Sequence, residues 1–264
     1  MPKFSANIIY LFNEVDLIDR ISAAAAVGFQ AVECQRPYEL PPSVVRDLLE
    51  AHGMQMVLIN TPAHPSWPND SGIATYPDRT PAFRETAARA MEYAAEVGCP
   101  RVHVVAGQLN CLIDPMAAEE TFLSNIIWAA DQGRSLGVKI LIEPLNAIDN
   151  PTYFLTTAAQ AQALLTRADH DNLYLQYDLF HAGMNGEDVI DGAQTYLGLI
   201  DHMQMAGVPE RHEPDTGTVD MLTAFDAVDT MGYKGWIGAE YRPSHSTAES
   251  FTWGAPFGIG PRRP

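Results

Sequence analysis

Four polar side chains recur in the second half of a 264-residue chain at intervals that a repeating fold would put in phase: Glu143, Asp178, Gln204 and Glu240 lie 35, 26 and 36 residues apart. Each sits at or near the end of a short apolar run, in ILIE, YLQYD, HMQMA and WIGAE. A carboxylate taken out of water without a partner costs several kcal/mol. Three of them converging with a carboxamide repel one another unless a cation holds them, and an all-oxygen ligand set suits Mg²⁺ or Mn²⁺ better than zinc. Taken alone, each acidic residue reads more readily as a helix cap or a solvated loop residue. The shared phase is what points to a metal site.

Other residues are placed to act with such a site. His181, three residues beyond Asp178 in DLFH, reads as a substrate contact or as a donor to one of the ligands. Arg211 and His212, in AGVPERHEPDTG, are basic groups in a very acidic chain and could clamp an anionic substrate. Their alternative is a surface loop with arbitrary charge. Glu33, Asn7 and Asn60 repeat the strand-end placement more weakly, whereas His64, His103, Trp67 and Met203 read as loop or core.

The elements that would position these groups follow from period and punctuation. Apolar runs at 4–9, 31–34, 54–60, 101–106, 139–143, 173–178, 202–206 and 236–241 predict eight strands. Amphipathic stretches at 15–27, 42–52, 81–97, 117–135 and 156–167 lie between them. Several helical stretches end on glycine just before the next strand, at Gly28, Gly98, Gly137 and Gly232, where a left-handed residue can terminate a helix. Eight alternating units in a chain of this length predict a (β/α)₈ TIM barrel, one domain over 1–264, with its active site at the C-terminal strand ends. The rival, a doubly wound sheet, lacks its Gly-rich phosphate loop: the first strand reads SANI there, so no nucleotide cofactor is expected. The irregular segment 61–79 is a candidate lid.

Composition narrows the function. Sixteen basic against 33 acidic side chains give a net charge of −17, which disfavours nucleic acid and anionic membrane as partners. Cys34, Cys99 and Cys111 show no metal or disulfide spacing, and only Lys3, Lys139 and Lys234 are available for Schiff-base chemistry. With neither a long apolar span nor a signal-peptide pattern, a cytoplasmic protein is expected.

The segments FSANIIYLF, GFQAVECQRPY, GIATYPDR, ILIEPLN, QYDLFH, HMQMAGVPERHEPDTG and GWIGAEY resemble the hydroxypyruvate isomerase family of xylose-isomerase-like barrels. AGVPERHEPD is closest to its 2-oxo-tetronate isomerase branch. The resemblance implies a divalent metal held by Glu143, Asp178, Gln204 and Glu240, with Glu143 and Glu240 as the acid/base pair and His181 and Arg211 facing substrate. It implies isomerisation of a small anionic 2-oxo-3-hydroxy acid through an enediolate: hydroxypyruvate to tartronate semialdehyde, or a 2-oxo-tetronate to its 3-oxo isomer. Three rivals stand beside it: a ketose 3-epimerase, which typically has His where this chain has Gln204; an endonuclease IV-type phosphodiesterase, which would want more His ligands and a basic surface; and a non-catalytic sugar-acid binder. The Gly- and Pro-rich tail, 244–264, departs from the family pattern, which leaves open the last helix and any contact it makes in a homo-oligomer.

Overall fold

The computed structural model describes residues 1–68, 72–109 and 113–261. Eight strands, β1 (Lys3–Asn7), β2 (Ala31–Cys34), β3 (Gln55–Asn60), β4 (Arg101–His103), β5 (Lys139–Ile142), β6 (Leu173–Asp178), β7 (Ile200–Met205) and β8 (Trp236–Ala239), pair in parallel and in sequence order. β8 closes on β1 from Lys3↔Trp236 to Ala6↔Ala239. Helices α1 (Arg20–Ala26), α2 (Pro42–His52), α3 (Thr80–Val97), α4 (Pro115–Ser135), α5 (Ala158–Ala168), α6 (Leu179–Met184), α7 (Val189–Tyr196) and α8 (Met221–Thr230) cover the outside. This is the (β/α)₈ barrel that the alternation of apolar runs and helical stretches predicts.

Strands buried on both faces explain why the runs are continuously apolar rather than alternating. Gly98 shows how each unit ends: at φ +78° it caps α3, its N–H reaching back to the Ala94 and Ala95 carbonyls. Several strands end earlier at the mouth than the apolar runs suggest. After β4 the backbone N–H groups turn to side chains, Val105 to Thr61 Oγ1 and Ala106 to the Tyr153 hydroxyl, so the half-buried Val105 and the buried Ala106 leave the sheet.

Two segments are left open by the sequence. Among the described residues no α-helix follows β8. Turns of 3₁₀ helix at Thr247–Glu249 and Thr252–Phe257 take its place, with Pro256 inside the second. Trp253 is buried there, its ring 5.0 Å from Phe4 and 6.2 Å from Phe225, and the Gly260 N–H donates to the Val27 carbonyl. The tail therefore seals the outer face of β1. In the candidate lid, Ala74 is pinned by its N–H to Ala106 and its carbonyl to Asn125, and none of the described residues of 61–79 lines the cleft at the barrel mouth.

Cys34 and Cys99 are buried free thiols, pushed up to about 12 by burial; Cys111 lies outside the described residues. Among the described residues no helix is long and apolar enough to cross a membrane.

Candidate active site

The interior of the barrel is polar around one carboxylate. Glu33, on β2, is almost wholly buried and accepts from Ser5 Oγ (3.2 Å), Asn7 Nδ2 (2.9 Å) and Gln204 Nε2 (2.7 Å), with His202 Nε2 at 2.7 Å. It fits because β8 has no side chain opposite: a Cβ on Gly238 would meet Glu33 Oε2 at 2.2 Å. Four partners, two from β1 and two from β7, satisfy the buried carboxylate. Asn7 completes this floor, its Oδ1 accepting from the Ile9 N–H. Of the groups expected at the site, Glu33, Asn7 and Gln204 thus meet one another below the cleft and do not line it.

Above the floor lies an acidic ring. Asp178 ends β6 directly opposite Gln204 in the sheet register, while Glu143 and Glu240 follow β5 and β8 by one residue. Gln204 is held at both ends. Its Nε2 is bound to Glu33, which leaves Oε1 as the acceptor end, where Gln176 Nε2 donates at 2.5 Å; the Gln176 amide also hydrogen-bonds Glu143. Arg211 enters from beyond β7. Its Nη2 lies 3.0 Å from Glu240 Oε1 and 3.7 Å from Asp178 Oδ2, and its guanidinium packs on the rings of Tyr10 and Phe180, at 5.0 and 4.8 Å. Arg211 has φ +56°, a left-handed backbone rare for a non-glycine residue. That turn separates it from His212, whose Nδ1 bonds the Arg242 carbonyl and which does not line the cleft.

His181 sits beside the ring with Nε2 3.6 Å from Asp178 Oδ2. Its Nδ1 faces two N–H donors of Asn146, the backbone at 3.1 Å and the side chain at 2.7 Å. A nitrogen that accepts from both carries no proton, so the neutral ring is protonated at Nε2 and offers a donor toward the acidic ring. Burial and the Arg211 charge hold its pKa well below the usual histidine value.

These groups open on a cleft of about 290 Å³ lined by Glu143, Glu240, His181, Arg211 and Asn60 among others. The same wall contains residues that strand-end reading passed over. His103 ends β4, faces Glu143 at 3.4 Å, and is pushed down to about 3 by burial. Its place at a strand end was the available signal. Tyr10 and Gln35 lie just beyond strand ends and carry no such signal.

Burial dominates the charge states. It drives Glu143 well above the normal carboxylate range, helped by Glu240 and Asp178. Burial also pushes Glu240 up to about 8 and Asp178 up to about 6, even though Arg211 opposes both shifts. Three carboxyls share one guanidinium, so they resist ionising together unless a further cation joins them. Asp178 Oδ2 is buried with no hydrogen-bond partner, and Glu143, Asp178 and His181 can each bring one donor atom within 4.8 Å of the others. An oxygen-rich cluster with an open acceptor, whose carboxyls are held back from ionising by burial and by one another, fits a divalent cation.

The sequence pattern of the xylose isomerase-like TIM barrel family matches residues 21–256. The chain is 40% identical over 257 residues to 2-oxo-tetronate isomerase of Cupriavidus necator, covering 97% of this chain and 99% of the relative. It is 31% identical to hydroxypyruvate isomerase of Escherichia coli, covering 97% and 100%. The crystal structure of AP endonuclease, family 2, from Brucella melitensis superposes with a TM-score of 0.94 at 35% identity, covering 97% of this chain and 99% of that one.

Proposed function

The chain belongs to the xylose isomerase-like TIM barrel family and is an isomerase, and from that premise we propose that it moves the carbonyl of a small 2-oxo-3-hydroxy acid between C2 and C3. The observation that carries this reading is the pair Glu143 and Glu240. They line one cleft from strands three apart in the ring, and burial raises both carboxyls toward the range where a group gives and takes protons near neutral pH. One takes the proton from C3 and the other returns one at C2. Two relatives acting on 2-oxo-tetronate and hydroxypyruvate, as their names state, support the substrate class.

Glu143, Asp178, Gln204 and Glu240 would hold Mg²⁺ or Mn²⁺, which when bound supplies a Lewis acid for negative charge developing on the carbonyl and hydroxyl oxygens. The chain's residues do the rest. Arg211 keeps Glu240 and Asp178 oriented, Gln176 holds Glu143 and Gln204, and His181 offers its Nε2–H to an oxygen of the bound acid. His103 and the Tyr10 ring wall the cleft. We place the enzyme in the cytoplasm, where buried thiols such as Cys34 and Cys99 stay reduced.

The name of the Brucella neighbour makes phosphodiester hydrolysis the activity to test against. A net charge of −17, and a single cluster of candidate ligands among the described residues, support the isomerase instead. The test incubates metal-loaded protein with hydroxypyruvate and with 2-oxo-tetronates in D₂O, following isomerisation and deuterium uptake by NMR. Glu143→Gln and Glu240→Gln are each expected to lower turnover by at least about a hundredfold with unchanged circular dichroism. Near-wild-type rates in either variant would sink the assignment.

A further inference from the structure

The cleft wall formed by the ends of β2 and β3 carries groups that the proton transfer does not use. Gln35 donates Nε2 to Glu240 Oε1 at 2.8 Å. With Nε2 taken up by that bond, Gln35 is left with Oε1, which is buried and has no partner. Asn60 likewise presents a buried Oδ1 without a partner. Both residues line the cleft, and a buried acceptor left unpaired is destabilising until a donor reaches it.

Between them in the chain stands Arg36, exposed and lining the same cleft. Among the described residues no hydrogen bond, ion pair or ring contact engages its guanidinium. The other guanidinium on the cleft, that of Arg211, is already committed to Glu240 and Asp178 and packed on two rings. Arg36 is therefore the cation of this wall with its donors open to an incoming anion.

We propose that this wall is a specificity subsite that reads a polyhydroxy acid: Arg36 binds the carboxylate, while Gln35 Oε1 and Asn60 Oδ1 accept from its hydroxyls. It selects a four-carbon hydroxylated acid over a three-carbon one, because the shorter acid leaves a buried acceptor unpaired. The assignment rests on the isomerase reading for its substrate class. Its binding chemistry can be tested without turnover.

The probes are erythronate, its uncharged counterpart erythritol, and the shorter glycerate, titrated calorimetrically into Mn²⁺-loaded protein. Wild type is expected to bind erythronate at least about tenfold more tightly than either of the others, a factor worth ~1.4 kcal/mol. Arg36→Met removes the preference for erythronate over erythritol, Arg36→Lys keeps part of it, and Asn60→Ala removes the preference over glycerate. In turnover, Arg36→Met raises KM for a 2-oxo-tetronate about tenfold with kcat within about twofold, since Arg36 touches none of the proton-transfer groups. An Arg36→Met protein that binds all three probes as wild type does overturns the subsite, whether or not the enzyme isomerises 2-oxo acids. Arg36-dependent binding in a protein that isomerises neither acid supports the subsite and sinks the isomerase reading instead.

Discussion

Glu240 shows that contact with a cation does not by itself set a charge state. Arg211 lies 3.0 Å from its carboxylate, yet burial keeps that carboxyl at about 8. The sign of the consequence is fixed. A carboxyl whose folded pKa lies above its unfolded value binds extra protons in the native state, so its stabilising contribution is full below about pH 4.5 and is lost as pH rises through about 8. Asp178, pushed up to about 6, contributes in the same direction over a lower window. Chelator-treated protein should therefore lose thermal stability between pH 5 and pH 8.5, and Glu240→Gln should flatten that loss. Melting curves across the pH series check this, and a wild-type profile as flat as the variant's would contradict it. Divalent cation should restore stability most at the alkaline end, where the ligands are already deprotonated.

At the scale of elements, β8 and β2 are coupled by a missing side chain. Gly238→Ala would drive a methyl into the Glu33 carboxylate from 2.2 Å, against four partners that hold it. The expected cost is about 1–3 kcal/mol in urea unfolding, with partial recovery when Glu33→Asp shortens the opposing chain. The strands themselves were legible because a buried parallel strand writes a continuous apolar run and its preceding helix ends on glycine, as at Val97–Gly98. The mouth was less so. Val105 and Ala106 read as strand, but their N–H groups bond to Thr61 and Tyr153, partners more than forty residues away that no local pattern reveals. Glu33 and Asn7 had the strand-end placement of cleft residues, and only the convergence of Ser5, His202 and Gln204 shows that they form the floor. His212 adjoined Arg211 in sequence and lost the cleft through one left-handed residue. The phase of Glu143, Asp178 and Glu240 survived because it is set by whole repeats, which small errors in strand bounds do not disturb.

Across the whole molecule, a net charge of −17 favours a divalent cation at long range and opposes an anionic substrate until it meets local positive charge. The Mn²⁺ association constant should accordingly fall severalfold between about 0.01 and 0.15 M ionic strength, where the Debye length shrinks from about 30 to 8 Å. Electron paramagnetic resonance titrations would register this, and a salt-independent constant would assign the affinity to the first ligands alone. The barrel also depends on its late segment. Trp253, packed among Phe4, Phe225 and Phe257, should cost about 3–5 kcal/mol on replacement by alanine, as read from chemical denaturation. That packing gives synthesis a direction: β1 is translated before the aromatic cover over its outer face, which follows more than two hundred residues later. Until then the nascent chain displays Phe4 to whatever holdase is near, so the slow step in making this enzyme is expected to follow synthesis of that cover.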